Sequence, residues 1–258
     1  MAELGASNLW ETTAPDARWQ QLEADLDTDV VVIGGGFTGV SAAYHLAAAG
    51  ASVVLLEART IGFGGSGRNV GLVNAGLWTP PDEVQRLLGA QAGEALNQWL
   101  ATGPARVFDL IERLQIKCEA VQNGTLHLAH APSGLKDLRD RYAQQKARGA
   151  PVELLDAAET ERRTGSRAYH GALWDGRAGT IQPLAYVRGL AQAAMVRGAQ
   201  VFENSPAWEI AEADGFWTVK TASGSVKARR LIQATNAYGC GGIVENSIIP
   251  AYYFQLAT

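Results

Sequence analysis

Between positions 29 and 57, the pattern of apolar and polar residues predicts a strand, a helix and a second strand in succession. Residues 30–33 form a β-branched apolar run, which is typical of a strand buried on both faces of a parallel sheet. An alanine-rich helix is predicted from Phe37 to about Ala49, and Gly50 ends it. Residues 53–56 form the second apolar strand, so the stretch has the layout of a β-α-β unit.

Three glycines follow the first strand at G-x-G-x-x-G spacing, namely Gly34, Gly36 and Gly39. The first lets the chain turn, the second leaves room for a pyrophosphate, and the third lets the helix pack closely on the sheet. Glu57 ends the second strand, where a carboxylate accepts hydrogen bonds from a ribose diol and repels a 2′-phosphate, which disfavours NADP. The unit therefore predicts dinucleotide binding, and this motif alone leaves FAD and NAD open.

The pattern downstream divides the chain into two predicted parts. Helical periodicity covers positions 81–117 with a break near Gly103 and Pro104, and Asn123-Gly124 predicts a hairpin within positions 118–130. The other predicted helices lie at 135–149, 156–163 and 183–197, and the other predicted strands at 152–155, 169–174, 200–203, 207–210, 217–221, 225–227 and 231–234. This order predicts an α/β fold in which a Rossmann-like dinucleotide-binding domain with a central parallel sheet and a β-meander (1–117 and 183–240) carries an inserted, partial α+β domain (118–182 and 241–258).

Composition and charge exclude some classes of function. The 258 residues are 47% hydrophobic, enough for a substantial core, and the formal net charge is −4. No basic block is present, so nucleic acid is not an expected partner. No apolar run reaches transmembrane length and the N-terminal stretch lacks a signal-peptide hydrophobic region, so a cytoplasmic location is expected.

Cysteines and histidines predict neither a disulfide nor a metal site. Cys118 and Cys240 are far apart and belong to no C-x-x-C pair, so we expect two reduced, partly buried thiols. His127 and His130 are three residues apart in a predicted strand and face opposite sides of it, which argues against a shared metal.

A second motif narrows the dinucleotide. The stretch I-G-x-G-x-S-G-R-N at positions 61–69, following a G-x-G-x-x-G unit that ends in Glu57, resembles the D-amino-acid oxidase/glycine oxidase superfamily, and most closely its gamma-glutamylputrescine oxidase-like branch. NLWETTAP at 8–15, DGRAGTIQPL at 175–184 and LIQATNAY at 231–238 are also similar to that branch. The resemblance implies FAD as cofactor and makes the larger predicted domain an FAD-binding domain and the inserted one a substrate domain.

The resemblance also implies which residues hold the cofactor. Ser66 would donate a hydroxyl, and Arg68 would offset charge on phosphate or reduced flavin, the alternative being an exposed loop arginine. Ala207 falls where the family sets backbone groups against adenine, and Ala234 and Thr235 correspond to a strand end that approaches the cofactor. The full set of predicted cofactor-binding residues is Gly34, Gly36, Phe37, Thr38, Gly39, Glu57, Ala58, Ser66, Gly67, Arg68, Asn69, Gly71, Leu72, Ala207, Ala234 and Thr235.

The activity implied is oxidation of a C–N bond of an amine or amino acid by hydride transfer to flavin. The sequence identifies no catalytic base. Tyr252 and Tyr253, like His170 and Trp174, either line a substrate pocket or pack in the core, and packing is favoured. Members of the family continue well past Thr258, so the second hypothesis is a fragment or flavin-binding subunit without turnover of its own, with a possible partner chain supplying the missing C-terminal part. The third, an NAD-dependent dehydrogenase, is disfavoured by the loop at 66–69.

Overall fold

The structure is a computed structural model and describes residues 8–238. Its α-helices are α1 (Leu9–Thr13), α2 (Phe37–Ala48), α3 (Pro81–Leu88), α4 (Ala90–Ala101), α5 (Gly103–Leu114), α6 (Pro132–Ala147), α7 (Ala157–Thr164) and α8 (Pro183–Val196). Its strands are β1 (Leu26–Ile33), β2 (Val53–Leu56), β3 (Leu72–Val73), β4 (Thr125–Leu128), β5 (Val152–Leu155), β6 (Ala172–Asp175), β7 (Gly179–Thr180), β8 (Gln200–Phe202), β9 (Glu209–Ala213), β10 (Phe216–Lys220) and β11 (Ser225–Gln233). Short 3-10 helices span Gly65–Gly67 and Asn236–Tyr238.

The chain folds as two compact units. Within the described residues, the first unit comprises 8–70, 114–118 and 182–238, and the second comprises 71–113 and 119–181. The predicted domain boundaries differ, because they assigned α3, α4 and α5 to the larger domain. Helices α3 and α4 and all but the last residue of α5 belong to the second unit, where α3 packs against α6 and Arg148, at the end of α6, forms ion pairs with Asp82 and Glu94. The assignment of one domain to FAD and the other to substrate stays a prediction.

A six-stranded sheet with the order β8-β2-β1-β11-β10-β9 forms the centre of the first unit. Strands β8, β2, β1 and β11 are parallel, whereas β11, β10 and β9 form an antiparallel meander. The sequence predicted two short strands, at 225–227 and 231–234, where the structure has the single strand β11, so that prediction was wrong. The charged residues between these two predicted strands resemble the end of one strand and the start of another. Lys227 and Arg229 are exposed while Val226 and Ala228 are buried, however, which is the alternation of a continuous strand.

The core of this sheet follows from side-chain alternation along its strands. Val31 and Ile33 of β1 pack with Val54 and Leu56 of β2 in one hydrophobic cluster. The other face of β1 carries Val32, against which α2 approaches closely at Gly39. Residues 30–33 of β1 are therefore buried on both faces, as their apolar run predicted, and all residues of β2 are buried too. Burial of each such side chain contributes about 1.5–3 kcal/mol.

The second unit contains an antiparallel three-stranded sheet with the order β4-β6-β5, against which α6 packs, and the separate pair β3-β7. Leu138, Val152 and Leu173 belong to its hydrophobic cluster. The prediction of a hairpin around Asn123-Gly124 was wrong. Strand β4 pairs with β6, and the Gly124 amide donates to the Ala178 carbonyl at 2.9 Å. Asn123-Gly124 therefore does not join two paired strands, and Gly124 contacts a residue that is distant in sequence.

Among the residues that the structure describes, no helix is long and apolar enough to cross a membrane. Cys118 is buried and not in a disulfide, whereas Cys240 lies outside the described residues.

Candidate functional site

The turn between β1 and α2 has no room for side chains. Gly34 has φ +111°, and a Cβ built on it would lie 2.6 Å from the Ala234 carbonyl oxygen. A Cβ on Gly39 would lie 1.9 Å from the Gly34 carbonyl oxygen. The first glycine therefore permits the turn and the third permits the contact between helix and strand, as the motif predicted.

The N-terminus of α2 offers backbone donors and no acidic side chain. Its N-cap, Gly36, provides no side-chain hydrogen bond, and the first turn of the helix contains no Asp or Glu. The Phe37 amide donates to Ser66 Oγ at 2.9 Å, whereas the amides of Thr38 and Gly39 precede the first intrahelical hydrogen bond, which Val40 donates to Gly36. Amides in this position, together with the helix dipole, bind anions such as a pyrophosphate.

A tightly folded loop brings Ser66 to this helix end. The loop is a 3-10 turn at Gly65–Gly67, and the Asn69 side-chain amide closes it by donating to the Ser66 carbonyl at 2.8 Å and the Gly65 carbonyl at 3.1 Å. Gly67 is buried, and a Cβ on it would lie 2.3 Å from the Gly62 carbonyl oxygen. The predicted residues 66, 67 and 69 thus build one rigid loop beside the first turn of α2.

Arg68 projects from the same loop onto an aromatic ring. Its guanidinium lies 4.3 Å from the centroid of the Phe63 ring, and that of Arg59 lies 4.7 Å from the same centroid. Across residues 8–238 neither guanidinium pairs with a carboxylate. Arg68 is half-buried rather than a fully solvated loop arginine, and no acidic side chain within residues 8–238 forms an ion pair with it.

Glu57 connects the end of β2 to the glycine turn. Its carboxylate accepts from the Gly35 amide at 2.7 Å and from the Arg59 amide at 2.9 Å. Burial raises the pKa of Glu57 and the nearby Glu203 carboxylate raises it further, while the two backbone hydrogen bonds oppose that shift. The carboxylate therefore already holds the glycine loop, and ribose binding at Glu57 stays a prediction.

Sequence reasoning missed the buried support beneath this loop. Glu203 is 1% exposed, and its carboxylate accepts from the Ile61 amide at 2.6 Å and the Trp19 amide at 3.2 Å. The Ser205 amide donates to the Glu57 carbonyl at 2.9 Å. No local motif marks Glu203 or Ser205, and a glutamate directly after an apolar strand was the one signal available.

The other predicted cofactor residues are spread over both units. In the first unit, Thr38 and Ala58 are exposed, Ala207 is buried, and Ala234 and Thr235 follow β11, where the Ala234 amide donates to Ile33 at 2.8 Å. Gly71 and Leu72 belong to the second unit, where Gly71 accepts from the Ile181 amide and Leu72 pairs with Thr180.

Of the four residues considered for a substrate pocket, the structure describes His170 and Trp174. His170 is exposed, and Trp174 is half-buried, with its indole donating to the Asn123 carbonyl at 3.3 Å. Tyr252 and Tyr253 lie outside the described residues. Within residues 8–238 no group of His, Cys, Asp and Glu side chains is arranged to hold a metal ion.

Similarities to known proteins agree with this geometry. Residues 29–258 match the family model described as DAO: FAD dependent oxidoreductase. The chain is 36% identical over 223 residues to gamma-glutamylputrescine oxidoreductase of Escherichia coli (strain K12), and the match covers 86% of this chain and 52% of that relative. The chain spans about half the length of the curated relatives it matches.

Two solved structures are similar in fold. Glycine oxidase from Geobacillus kaustophilus matches with a TM-score of 0.68 at 24% identity, over 83% of this chain and 56% of that chain. L-Amino acid deaminase from Proteus myxofaciens, in complex with anthranilate, matches with a TM-score of 0.73 at 18% identity, over 88% of this chain and 49% of that chain. At these identities the likeness shows the fold alone.

Proposed function

This chain belongs to the DAO family of FAD dependent oxidoreductases, and we propose that its first unit binds FAD through the β1-α2-β2 turn and the loop at 65–69. The observation that carries the proposal is the arrangement at the start of α2, where Ser66 Oγ meets the Phe37 amide beside a glycine N-cap. A pyrophosphate fits such an arrangement because it needs backbone N–H donors and a close approach to the chain, and it does not need a basic side chain.

The residues of the first unit fit distinct parts of the cofactor. The amides of Thr38 and Gly39 and the Ser66 hydroxyl would hold the pyrophosphate, and Arg68, whose charge no carboxylate of the described chain neutralises, would offset phosphate or flavin charge. Glu57 would accept from the ribose diol, and Ala207, Ala234 and Thr235 would offer backbone groups. The same role for Gly71 and Leu72, which lie in the second unit, stays a prediction from the sequence.

We also propose that the protein oxidises a C–N bond of an amine or amino acid. When bound, FAD supplies a two-electron acceptor for the hydride that leaves the carbon bearing nitrogen, while the nitrogen loses a proton and water hydrolyses the resulting imine. The chain's own contribution is to bind and orient. The glycine turn and the 65–69 loop, which the Asn69 side chain closes, would fix the cofactor's phosphates, and Arg68, which lies over Phe63, would place a positive charge beside them. Support for this substrate class comes from relatives named gamma-glutamylputrescine oxidoreductase, sarcosine dehydrogenase and glycine oxidase.

An anaerobic reduction experiment tests the proposal. The chain is loaded with FAD, its visible spectrum is recorded, and gamma-glutamylputrescine, sarcosine or glycine is added without oxygen. We expect one amine to bleach the flavin absorbance, and glycolate, which replaces the glycine nitrogen with oxygen, to leave it unchanged. Bound flavin that no amine reduces would contradict the oxidation step and favour a flavin-binding chain without turnover of its own. A chain that binds no flavin would contradict both parts.

A cytoplasmic location and a partner chain that completes the protein stay predictions from the sequence. Co-purification of the tagged chain from cytosolic extract, followed by measurement of the complex mass, tests both.

A further inference from the structure

The segment before β1 contacts the proposed pyrophosphate loop through one tryptophan. The Trp10 indole N–H donates to the Asn69 carbonyl at 2.8 Å. We propose that Trp10 is a positioning residue for the cofactor, which fixes the 65–69 loop and thereby the Ser66 hydroxyl at the start of α2. The inference rests on the proposed function, since it assigns this contact a role in FAD binding.

The path from Trp10 to the helix end has three hydrogen bonds. Trp10 holds the backbone of Asn69, and the Asn69 side chain holds the Ser66 carbonyl at 2.8 Å. Ser66 Oγ in turn accepts from the Phe37 amide at 2.9 Å. Each bond is made by a group that is at least partly buried, so water competes with it less than at an open surface. Trp10 is 59 residues away from Asn69 in sequence, so this support is independent of the β-α-β unit.

Trp10 is itself fixed by the core of the first unit. The side-chain amide of Gln182 donates to the Trp10 carbonyl at 3.0 Å and to Thr13 Oγ1 at 3.1 Å. Gln182 is 2% exposed, and its oxygen caps α8 by accepting from the Ala185 amide at 2.7 Å. A short five-residue helix with little stability of its own is thus held by a buried residue at the start of a core helix, which allows Trp10 to restrain the loop.

A neighbouring tryptophan provides the matched control. Trp19 is also in the segment before β1 and also donates its indole N–H, but to the Met195 sulfur at 2.8 Å. Trp19 is 9% exposed and Trp10 is half-buried, so removing part of Trp19 costs at least as much packing. Replacing each by Phe keeps an aromatic ring and removes the indole N–H. A role in packing alone would make W19F at least as damaging as W10F.

Hydrogen exchange of the chain without ligand measures the restraint directly. The amides of Gly67, Arg68 and Asn69 donate back to Gly64 and Gly65, so their exchange reports on loop opening. We expect W10F to speed exchange in this loop by about threefold to tenfold, the range produced by losing one hydrogen bond, and W19F to leave it unchanged. Equal exchange in W10F and wild type would overturn the proposal.

Ligand binding then tests the link to the cofactor. FAD, ADP and adenosine are titrated into wild type, W10F and W19F. We expect W10F to weaken FAD and ADP by about threefold to tenfold while adenosine, which lacks phosphate, binds as it does to wild type. If W10F also bound adenosine more weakly, or if W19F lost the same affinity for FAD and ADP, Trp10 would act through packing alone and the proposal would be overturned. Wild type that binds neither FAD nor ADP would instead contradict the proposed function, and the positioning role with it.

Discussion

The two units of this chain use glycine in different ways, and the difference indicates where function constrains the sequence. In α2 of the first unit, a Cβ on Gly39 would lie 1.9 Å from a backbone oxygen that cannot move without breaking the turn. In α6 of the second unit, a Cβ on Gly134 would meet its nearest atom at 3.7 Å, an ordinary van der Waals contact. One glycine is required by a close approach, whereas the other only lowers the stability of its helix.

Charged groups differ between the units in the same way. Glu57 of the first unit is half-buried and accepts from backbone amides, and burial raises its pKa. Glu159 of the second unit is also half-buried, but hydrogen bonds from Arg162 and Arg163 lower its pKa to about 2. Glu57 is thus held beside the glycine turn at a cost in stability when it is ionised, whereas ionised Glu159 is stabilised by its arginine partners.

Substituting the two helix glycines, Gly39 and Gly134, should give the largest difference in stability between the two units. We expect Gly39→Ala to destabilise the first unit by about 1–3 kcal/mol through overpacking and to abolish FAD binding. Gly134→Ala should stabilise the chain by at most about 0.5–1 kcal/mol, since Gly134 lies in the first turn of α6 and alanine loses less backbone entropy than glycine in a helix. Urea unfolding and FAD titration of both variants provide the measurement. A Gly39→Ala protein as stable as Gly134→Ala would show that the close approach has no energetic consequence.

The dependence of stability on pH should distinguish the two carboxylates by sign. The folded pKa of Glu57 is raised above its ordinary value of 4.5, so its contribution to stability is present at low pH and is lost as pH rises from 4.5 through the folded pKa. The folded pKa of Glu159 is lowered from 4.5 to about 2, so its contribution is present above 4.5 and is lost as pH falls towards 2.

Glu57→Gln and Glu159→Gln test these signs. Relative to wild type, we expect Glu57→Gln to gain stability as pH rises above 4.5. Glu159→Gln should be slightly less stable than wild type by a constant amount above 4.5, and this deficit should disappear as pH falls towards 2. Unfolding at a series of pH values gives both differences. If the two variants differ from wild type with the same sign above 4.5, the contrast between a desolvated carboxylate and one paired with arginine is wrong.

The smallest expected effect concerns two serines of the first unit. Ser66→Ala removes the acceptor for the Phe37 amide, and we expect FAD binding to weaken by about 0.5–1.5 kcal/mol, the net worth of one hydrogen bond. Ser52→Ala removes a similar hydroxyl that accepts from the Asp29 amide before β2. It should lower stability slightly and leave FAD affinity unchanged. Equal affinities in the two variants would remove Ser66 from the proposed site.

The β-α-β unit could be predicted from sequence because its signals are local. The strand at 53–56 was predicted with its observed bounds, and the predicted helix from Phe37 differs from α2 only at its end. Glycines 34 and 39 also lie in the arrangement that the motif requires. In each case neighbouring residues fix the element and its partner.

Contacts between distant residues could not be predicted in the same way. The turn signal at Asn123-Gly124 was read as a hairpin, but β6, the partner of β4, lies far along the chain. Trp10 lies in the stretch at 8–15 that resembles the family, but neither that stretch nor any motif around Glu203 indicates their hydrogen-bond partners. Those partners are backbone groups of Asn69, Ile61 and Trp19 that only the fold brings close. In each of these hydrogen bonds one partner is a backbone atom, so no complementary side chain marks that partner in the sequence.

Titration of the chain with FAD tests the central claim most directly. The purified chain is freed of ligand, and quenching of flavin fluorescence is followed as FAD is added, with NAD as the competing dinucleotide. We expect saturable binding of one FAD per chain, which ADP displaces and which NAD, sharing that ADP moiety, displaces no better than ADP does. Absence of saturable FAD binding, or binding of NAD in its place, would contradict the account.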